Sequence, residues 1–152
     1  VRAQGLAESS YAVTRSELGS PMLKPIVKWA PKDQLLQHRY AAHLTREGNL
    51  AEAEIATLDA LKVIPADEQL IEQLIRIYLG QKRYDVALGI MDTLQPTKPN
   101  IRANIFGLRA VALANLGHYQ KAITACEQAL KINPNQVEAN VVLPRLRSRF
   151  QP

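Results

Sequence analysis

The sequence predicts an all-α chain of three helix-turn-helix repeats, with a capping helix at its C-terminal end and a helix followed by an extended arm at its N-terminal end. Three observations carry that prediction. Four of the nine prolines, Pro31, Pro65, Pro99 and Pro134, stand 34, 34 and 35 residues apart, a period that marks repeat architectures. Between them the apolar residues keep helical spacing, as at Leu36, Tyr40 and Leu44, and do not alternate as in strands. Small residues also return in phase: Ala41 and Ala110 in first helices, Ala53, Ala87 and Ala122 early in second helices, Ala60 and Ala129 late in them. Side chains this small let helix backbones approach closely while larger neighbours fill the seam.

Taken in order, residues 1–32 form the N-terminal segment. Leu6–Leu18 reads as a moderately helical stretch that stops at Gly19-Ser20-Pro21. Pro21–Pro31, broken by Pro25, reads as extended, with Leu23, Ile26 and Trp29 packed on the first helices as a cap. An alternative makes the same arm a peptide-like ligand, through Ile26 and Trp29, for a groove in its own or a neighbouring molecule. Residues 33–136 hold the repeats, at 34–67, 68–102 and 103–136. The first pairs Asp33–Glu47 with Leu50–Leu61 across Gly48-Asn49, and the second pairs Glu68–Leu79 with Val86–Leu94 around Gly80-Gln81-Lys82-Arg83. The third pairs Ile101–Leu116 with Gln120–Ile132 around Gly117-His118. Short joints make each pair antiparallel, and the prolines stand where second helices cannot continue. In residues 137–152, the stretch Val137–Phe150 gathers Ala139, Val142, Leu143, Leu146 and Phe150 on one stripe, with Arg145, Arg147 and Arg149 off it. That is the pattern of a helix covering the last repeat, and Pro144 predicts a kink or break within it.

At this level the chain resembles the tetratricopeptide repeat family, whose motif runs through an aromatic, Leu-Gly/Ala, Tyr, Ala, a large apolar residue, Ala and Pro. The third period carries Phe106, Ala110, Leu113, Gly117, Tyr119, Ala122, Ala129 and Pro134. The second carries Ile71, Leu74, Tyr78, Tyr84, Ala87, Met91, Leu94 and Pro99, and the first Tyr40, Ala41, Leu44, Gly48, Ala53, Ala60 and Pro65. Departures are Gln37 at an aromatic site, Thr57 at a large apolar one, Ile75 at a small one, Arg109 at a Leu site and Cys126 at a Phe site. The resemblance implies a right-handed α-solenoid whose first helices line a concave groove for extended peptides or a partner helix.

Composition bounds the chemistry. A chain of 152 residues with 47% hydrophobic and 22% charged residues can bury a core, which excludes a mainly disordered state. One cysteine excludes an internal disulfide and a multi-cysteine zinc site. No apolar run reaches the length of a membrane span, and no signal-peptide core stands at the start. A start at Val1 instead of Met is expected of a processed protein or an excerpt of a longer one, and nothing assigns a compartment. His38 and His43 are five apart on one helix and cannot share a metal; His118 falls in a turn, where solvation is expected. Cys126 reads as a buried, inert thiol. No catalytic constellation, cofactor motif or metal site emerges, so a non-enzymatic module is expected.

By the family's phase, the groove residues are His38, Arg39, Ala42 and Arg46 in the first repeat, Gln69, Glu72, Gln73 and Arg76 in the second, and Asn104, Leu108, Val111 and Asn115 in the third. One subfamily grips the carboxylate of acidic chaperone tails with lysines, asparagines and an arginine; His38, Ala42, Gln73, Asn104 and Leu108 stand at those places here, so that clamp is not built. The leading expectation is a scaffold or adaptor that holds a peptide or helix of another protein within a larger assembly, of bacterial type by analogy. Self-assembly through the arm or the terminal helix is the alternative. A nucleic-acid-binding helical repeat is the second alternative, raised by a net charge of +5 and a pI near 9.5. It is opposed by the want of aromatic platforms and by where the charge lies: residues 34–136 carry eleven basic and ten acidic residues, and the ends supply the rest.

Overall fold

The computed structural model describes residues 19–150. Among them are eight helices and no strand: α1 Gly19–Trp29, α2 Gln34–Arg46, α3 Leu50–Val63, α4 Glu68–Gly80, α5 Tyr84–Thr93, α6 Pro99–Asn115, α7 Tyr119–Ile132 and α8 Val137–Phe150. The chain divides into two compact units, with the boundary inside α4 after Ile77.

The first unit corrects the expected arm. Pro21–Trp29 is not extended but belongs to α1, with Pro25 inside it. Pro21 sits in the first turn, where no intrahelical N–H bond is required, and the bond Pro25 cannot donate would reach only the carbonyl of that turn. Leu23 and Val27 are buried with Leu36, Tyr40, Leu44, Ala53 and Ile77, and Ile26 packs against this core. Trp29, expected to pack, is 81% exposed. The expected helix Leu6–Leu18 lies outside the described residues. Side-chain caps start the helices that follow: Asp33 Oδ1 accepts from Leu36 N–H at 3.0 Å, Asn49 Oδ1 from Glu52 N–H at 3.4 Å and Asp67 Oδ1 from Leu70 N–H at 3.0 Å.

Gln37, the departure at the aromatic site, is buried, and its Nε2 donates to the carbonyls of Val27 and Pro31 at 3.3 Å each. A buried amide that spends both donors on α1's exit replaces ring packing with a tether. Thr57 is also buried and satisfies its hydroxyl locally on the Ala53 carbonyl at 2.7 Å.

In the second unit α6, α7 and α8 share one core. Ala110, Ala122, Ile123, Ala125, Cys126 and Ala129 pack with Ala139, Leu143 and Leu146 of α8, so α8 covers the α6–α7 hairpin. It runs through Pro144 without a break; the proline is exposed and the core side of the helix is undisturbed. Phe150, expected on the buried stripe, is 41% exposed and stacks on Tyr119 with ring centroids 4.0 Å apart. Gln136 starts α8: its Oε1 accepts from Ala139 N–H at 2.7 Å, and its Nε2 contacts Asn104 and Glu138. Gly107 leaves the room, since a Cβ there would stand 2.2 Å from Gln136 Oε1. Arg109 at its Leu site donates to Asp92 at 2.9 Å and to the Met91 carbonyl at 3.0 Å, tying α6 to the end of α5.

Three helix ends share one device. After α2, Asn49 N–H bonds Leu44 O and Gly48 N–H bonds Thr45 O, with Gly48 at φ +79°. After α6, His118 N–H bonds Leu113 O and Gly117 N–H bonds Ala114 O, with Gly117 at φ +83°. These are left-handed helix caps that glycine adopts without a Cβ penalty. After α4 the same pair of bonds runs from Arg83 to Tyr78 and from Lys82 to Leu79. There the left-handed residue is Lys82, at φ 60°, within the expected joint Gly80-Gln81-Lys82-Arg83, whose glycine is the last residue of α4.

Candidate functional site

Two helices of the first unit place their predicted groove residues together. α2 contributes His38 and Ala42 and α4 contributes Gln69, Glu72 and Gln73 to a recess of ≈ 200 Å³ lined by these five residues. Polar bonds hold its walls. His38 Nε2 lies 2.8 Å from Asp67 Oδ1, the carboxylate that also caps α4, so the imidazole is oriented from the helix start. Gln73 Nε2 donates to Thr45 Oγ1 at 2.8 Å, and Thr45 passes its own hydroxyl to the Ala41 carbonyl. Glu72 receives Arg76 through Nε at 3.0 Å and Nη2 at 2.9 Å. Charge-assisted pairing of this kind fixes both side chains one turn apart on the helix. Arg39 is half-buried beside the recess residues on α2, and Arg46 is exposed at the helix end.

In the second unit the predicted residues fare differently. Asn104 and Val111 are half-buried and Asn115 is exposed, its Nδ2 donating to the Val111 carbonyl at 2.8 Å. Leu108 is only 3% exposed; it falls with Ile101 and Ile105 on a buried row at i, i+4 and i+7 and presents no side chain to a ligand.

The recess gathers the polar side chains of His38, Gln69, Glu72 and Gln73 beside one compensated charge pair, Glu72 with Arg76. Among the described residues no three His, Cys, Asp or Glu side chains gather as a metal site, and no helix is long and apolar enough to cross a membrane. Burial pushes the Cys126 thiol up to about 11, with Glu127 adding to the shift and Arg147 opposing it; a nucleophilic thiol needs the opposite shift. His118 is exposed at the α7 start.

Sequence reasoning missed a larger cavity. It measures ≈ 560 Å³ and lies among α1, α2 and α3, with Tyr40 and Gln37 from α2, Val27 from α1 and Ile55, Ala56, Ala60 and Val63 from α3 in its lining. Reading Pro21–Pro31 as an extended arm hid it, because one wall is a helix the prolines disguised.

Residues 103–136 match the tetratricopeptide repeat family. No curated protein sequence matches the chain. Among solved structures it is similar to MamA 41-end from Desulfovibrio magneticus RS-1, at 18% identity and a TM-score of 0.80 over 97% of this chain and 82% of that one. It is similar to the first TPR domain of human RPAP3, at 19% identity and a TM-score of 0.68 over 78% of this chain and 92% of that one. A chain of the APC/C hetero-tetramer Cut9–Hcn1 is similar at 19% identity and a TM-score of 0.77, over 95% of this chain and 29% of that one. At such identities the likeness carries the fold, which is that of the repeat solenoids.

Proposed function

We propose that this chain, which has the fold of the repeat solenoids and one matched tetratricopeptide repeat, is a non-catalytic scaffold that holds an extended peptide or a helix of a partner protein against the α2–α4 recess. The observation that carries the reading is the recess itself: five residues assigned to the groove wall by repeat phase, His38, Ala42, Gln69, Glu72 and Gln73, line one cavity. Its polar lining favours a partner that brings main-chain amides and short polar side chains. The Cut9–Hcn1 hetero-tetramer, in which a similar chain stands in an assembly with another protein, agrees with a place in a larger complex. Residues 34–67, 68–102 and 103–136 are read as the repeats of this scaffold.

Site-specific photo-cross-linking tests the reading. A photoreactive residue at Ala42 or Gln73 is expected to capture a protein that the same residue at the exposed Ile132 does not, and Glu72→Arg is expected to lower the yield. Equal capture from all three positions, or none from the recess, overturns it.

Self-assembly is favoured by a separate observation: Trp29 on α1 and Val137 on α8 are 81% and 70% exposed, apolar side chains of the kind that mark contacts between copies. Sedimentation over a hundredfold range of concentration, with Trp29→Ser and Val137→Ser as controls, tests it; a concentration-independent monomer excludes it.

A further inference from the structure

The ≈ 560 Å³ cavity of the first unit involves neither the recess nor the partner reading. It exists because the family's aromatic position holds Gln37, whose amide reaches away to Val27 and Pro31, and because α3 lines the space with Ala56 and Ala60. Its volume falls within the range of about 300–1,000 Å³ that small-molecule sites occupy. Val27, Ile55, Ala56, Ala60 and Val63 give it aliphatic walls, with Tyr40 beside them.

The hydrogens of Tyr40 and Gln37 and the charges of Lys24, Glu52 and Asp59 in the lining are committed. Tyr40 donates its hydroxyl to Glu52 at 3.2 Å, Lys24 pairs with the same carboxylate at 2.9 Å, both amide hydrogens of Gln37 are used, and Asp59 pairs with Lys62 at 3.2 Å. A peptide backbone in this space would bury amide groups with few partners, a cost that a hydrocarbon chain does not incur. Lys28 differs: it is exposed, it lines the cavity, and among the described residues it has no carboxylate partner. A ligand complementary to this arrangement is apolar along its length and anionic at one end.

The geometry points to a binding site for a free single-chain amphiphilic carboxylate, a fatty-acid anion, with its chain between α1 and α3 and its head group at Lys28. Occupancy would link α1 to α3 and stabilise the first unit by mass action.

Calorimetric titration of the full chain with dodecanoate, kept below its micelle concentration, tests the assignment. One saturable site per chain is expected, with an affinity at least about tenfold above that for octanoate because each added methylene buries apolar surface. Lys28→Glu is expected to weaken dodecanoate by about tenfold or more and leave dodecan-1-ol unchanged. Ile55→Asp, at a position 61% exposed in the fold, is expected to remove both while the circular dichroism spectrum stays helical. Absence of saturable dodecanoate binding to the wild-type chain, equal binding by Lys28→Glu, or dodecan-1-ol binding as tight as dodecanoate overturns the proposal.

Discussion

The α6–α7 hairpin and the α2–α3 hairpin follow one repeat pattern and solve the packing problem differently. In the former, Ala110, Ala122, Ala125, Cys126 and Ala129 bring helices together under Leu143 and Leu146 of α8. In the latter, Gln37 and Thr57 put satisfied polar groups where the pattern has bulk, and a cavity remains beside Ala56 and Ala60. Phase therefore locates a residue in a repeat, but the neighbouring helix decides whether a small residue there means close contact or empty space.

The sharpest way to break this contrast is one substitution made twice. Ala129 and Ala60 hold the same late position in their second helices and are both buried. Ala129→Leu forces three extra carbons into a filled core and is expected to destabilise by about 2 kcal/mol. Ala60→Leu enters the cavity lining and is expected to change stability by less than about 0.5 kcal/mol, or to raise it. Urea unfolding of the two variants checks this, and equal losses would show both cores to be filled alike.

Gly107 gives the next largest effect. A Cβ at this position meets the Gln136 side chain, which is 2% exposed and holds the start of α8 through Ala139. Gly107→Ala is expected to cost about 1–2 kcal/mol, the value of a lost helix cap with a displaced buried amide. Hydrogen exchange is the readout: Ala139 should lose protection more than amides in α5 do. Gly89, with open space around its would-be Cβ, serves as the control substitution and should gain from better helix propensity.

Much of this was legible in the sequence. Helix pairs, joints and the covering helix follow from the proline period and the 3.6-residue spacing, because both express local sterics. α1 was not, since Pro21 and Pro25 are helix breakers in general; Pro21 falls in the first turn, whereas Pro25 lies inside the helix and gives up one backbone bond. A signal did exist: Trp29 precedes Pro31 by two residues, as Val63 precedes Pro65 and Ile132 precedes Pro134. At the recess, phase named every lining residue. It failed at Leu108, whose side chain lies on a buried row that phase alone assigned to the groove wall.

The three left-handed caps extend the comparison with a smaller effect. Gly48 and Gly117 take φ of +79° and +83°, and Lys82 takes 60° at the equivalent helix end. A lysine there costs about 1 kcal/mol relative to glycine because its Cβ crowds the backbone. Lys82→Gly is expected to recover much of that, offset by the greater freedom of glycine in the unfolded chain. Gly48→Ala and Gly117→Ala are expected to lose about 1 kcal/mol each, so thermal melts should order the variants in opposite directions from the wild type.

Alkaline pH probes the filled core alone. Burial holds the Cys126 thiol protonated up to about 11, whereas in the unfolded chain it ionises near 8.5. Between those values the folded state binds more protons, so its stability is complete below the unfolded value and falls as pH rises toward the folded one. By pH 9 the loss should be under about 1 kcal/mol, and Cys126→Ala should remove that part of the slope. The Tyr40 hydroxyl, raised to about 12 by burial with Glu52 adding to the shift, contributes stability that begins to fall only as pH approaches the ordinary phenol value of about 10. The difference between wild type and Cys126→Ala in a urea series at pH 7, 8 and 9 therefore reads the thiol. An unchanged slope in Cys126→Ala would mean that the second unit admits water to its core, and the contrast between the two hairpins would lose its basis.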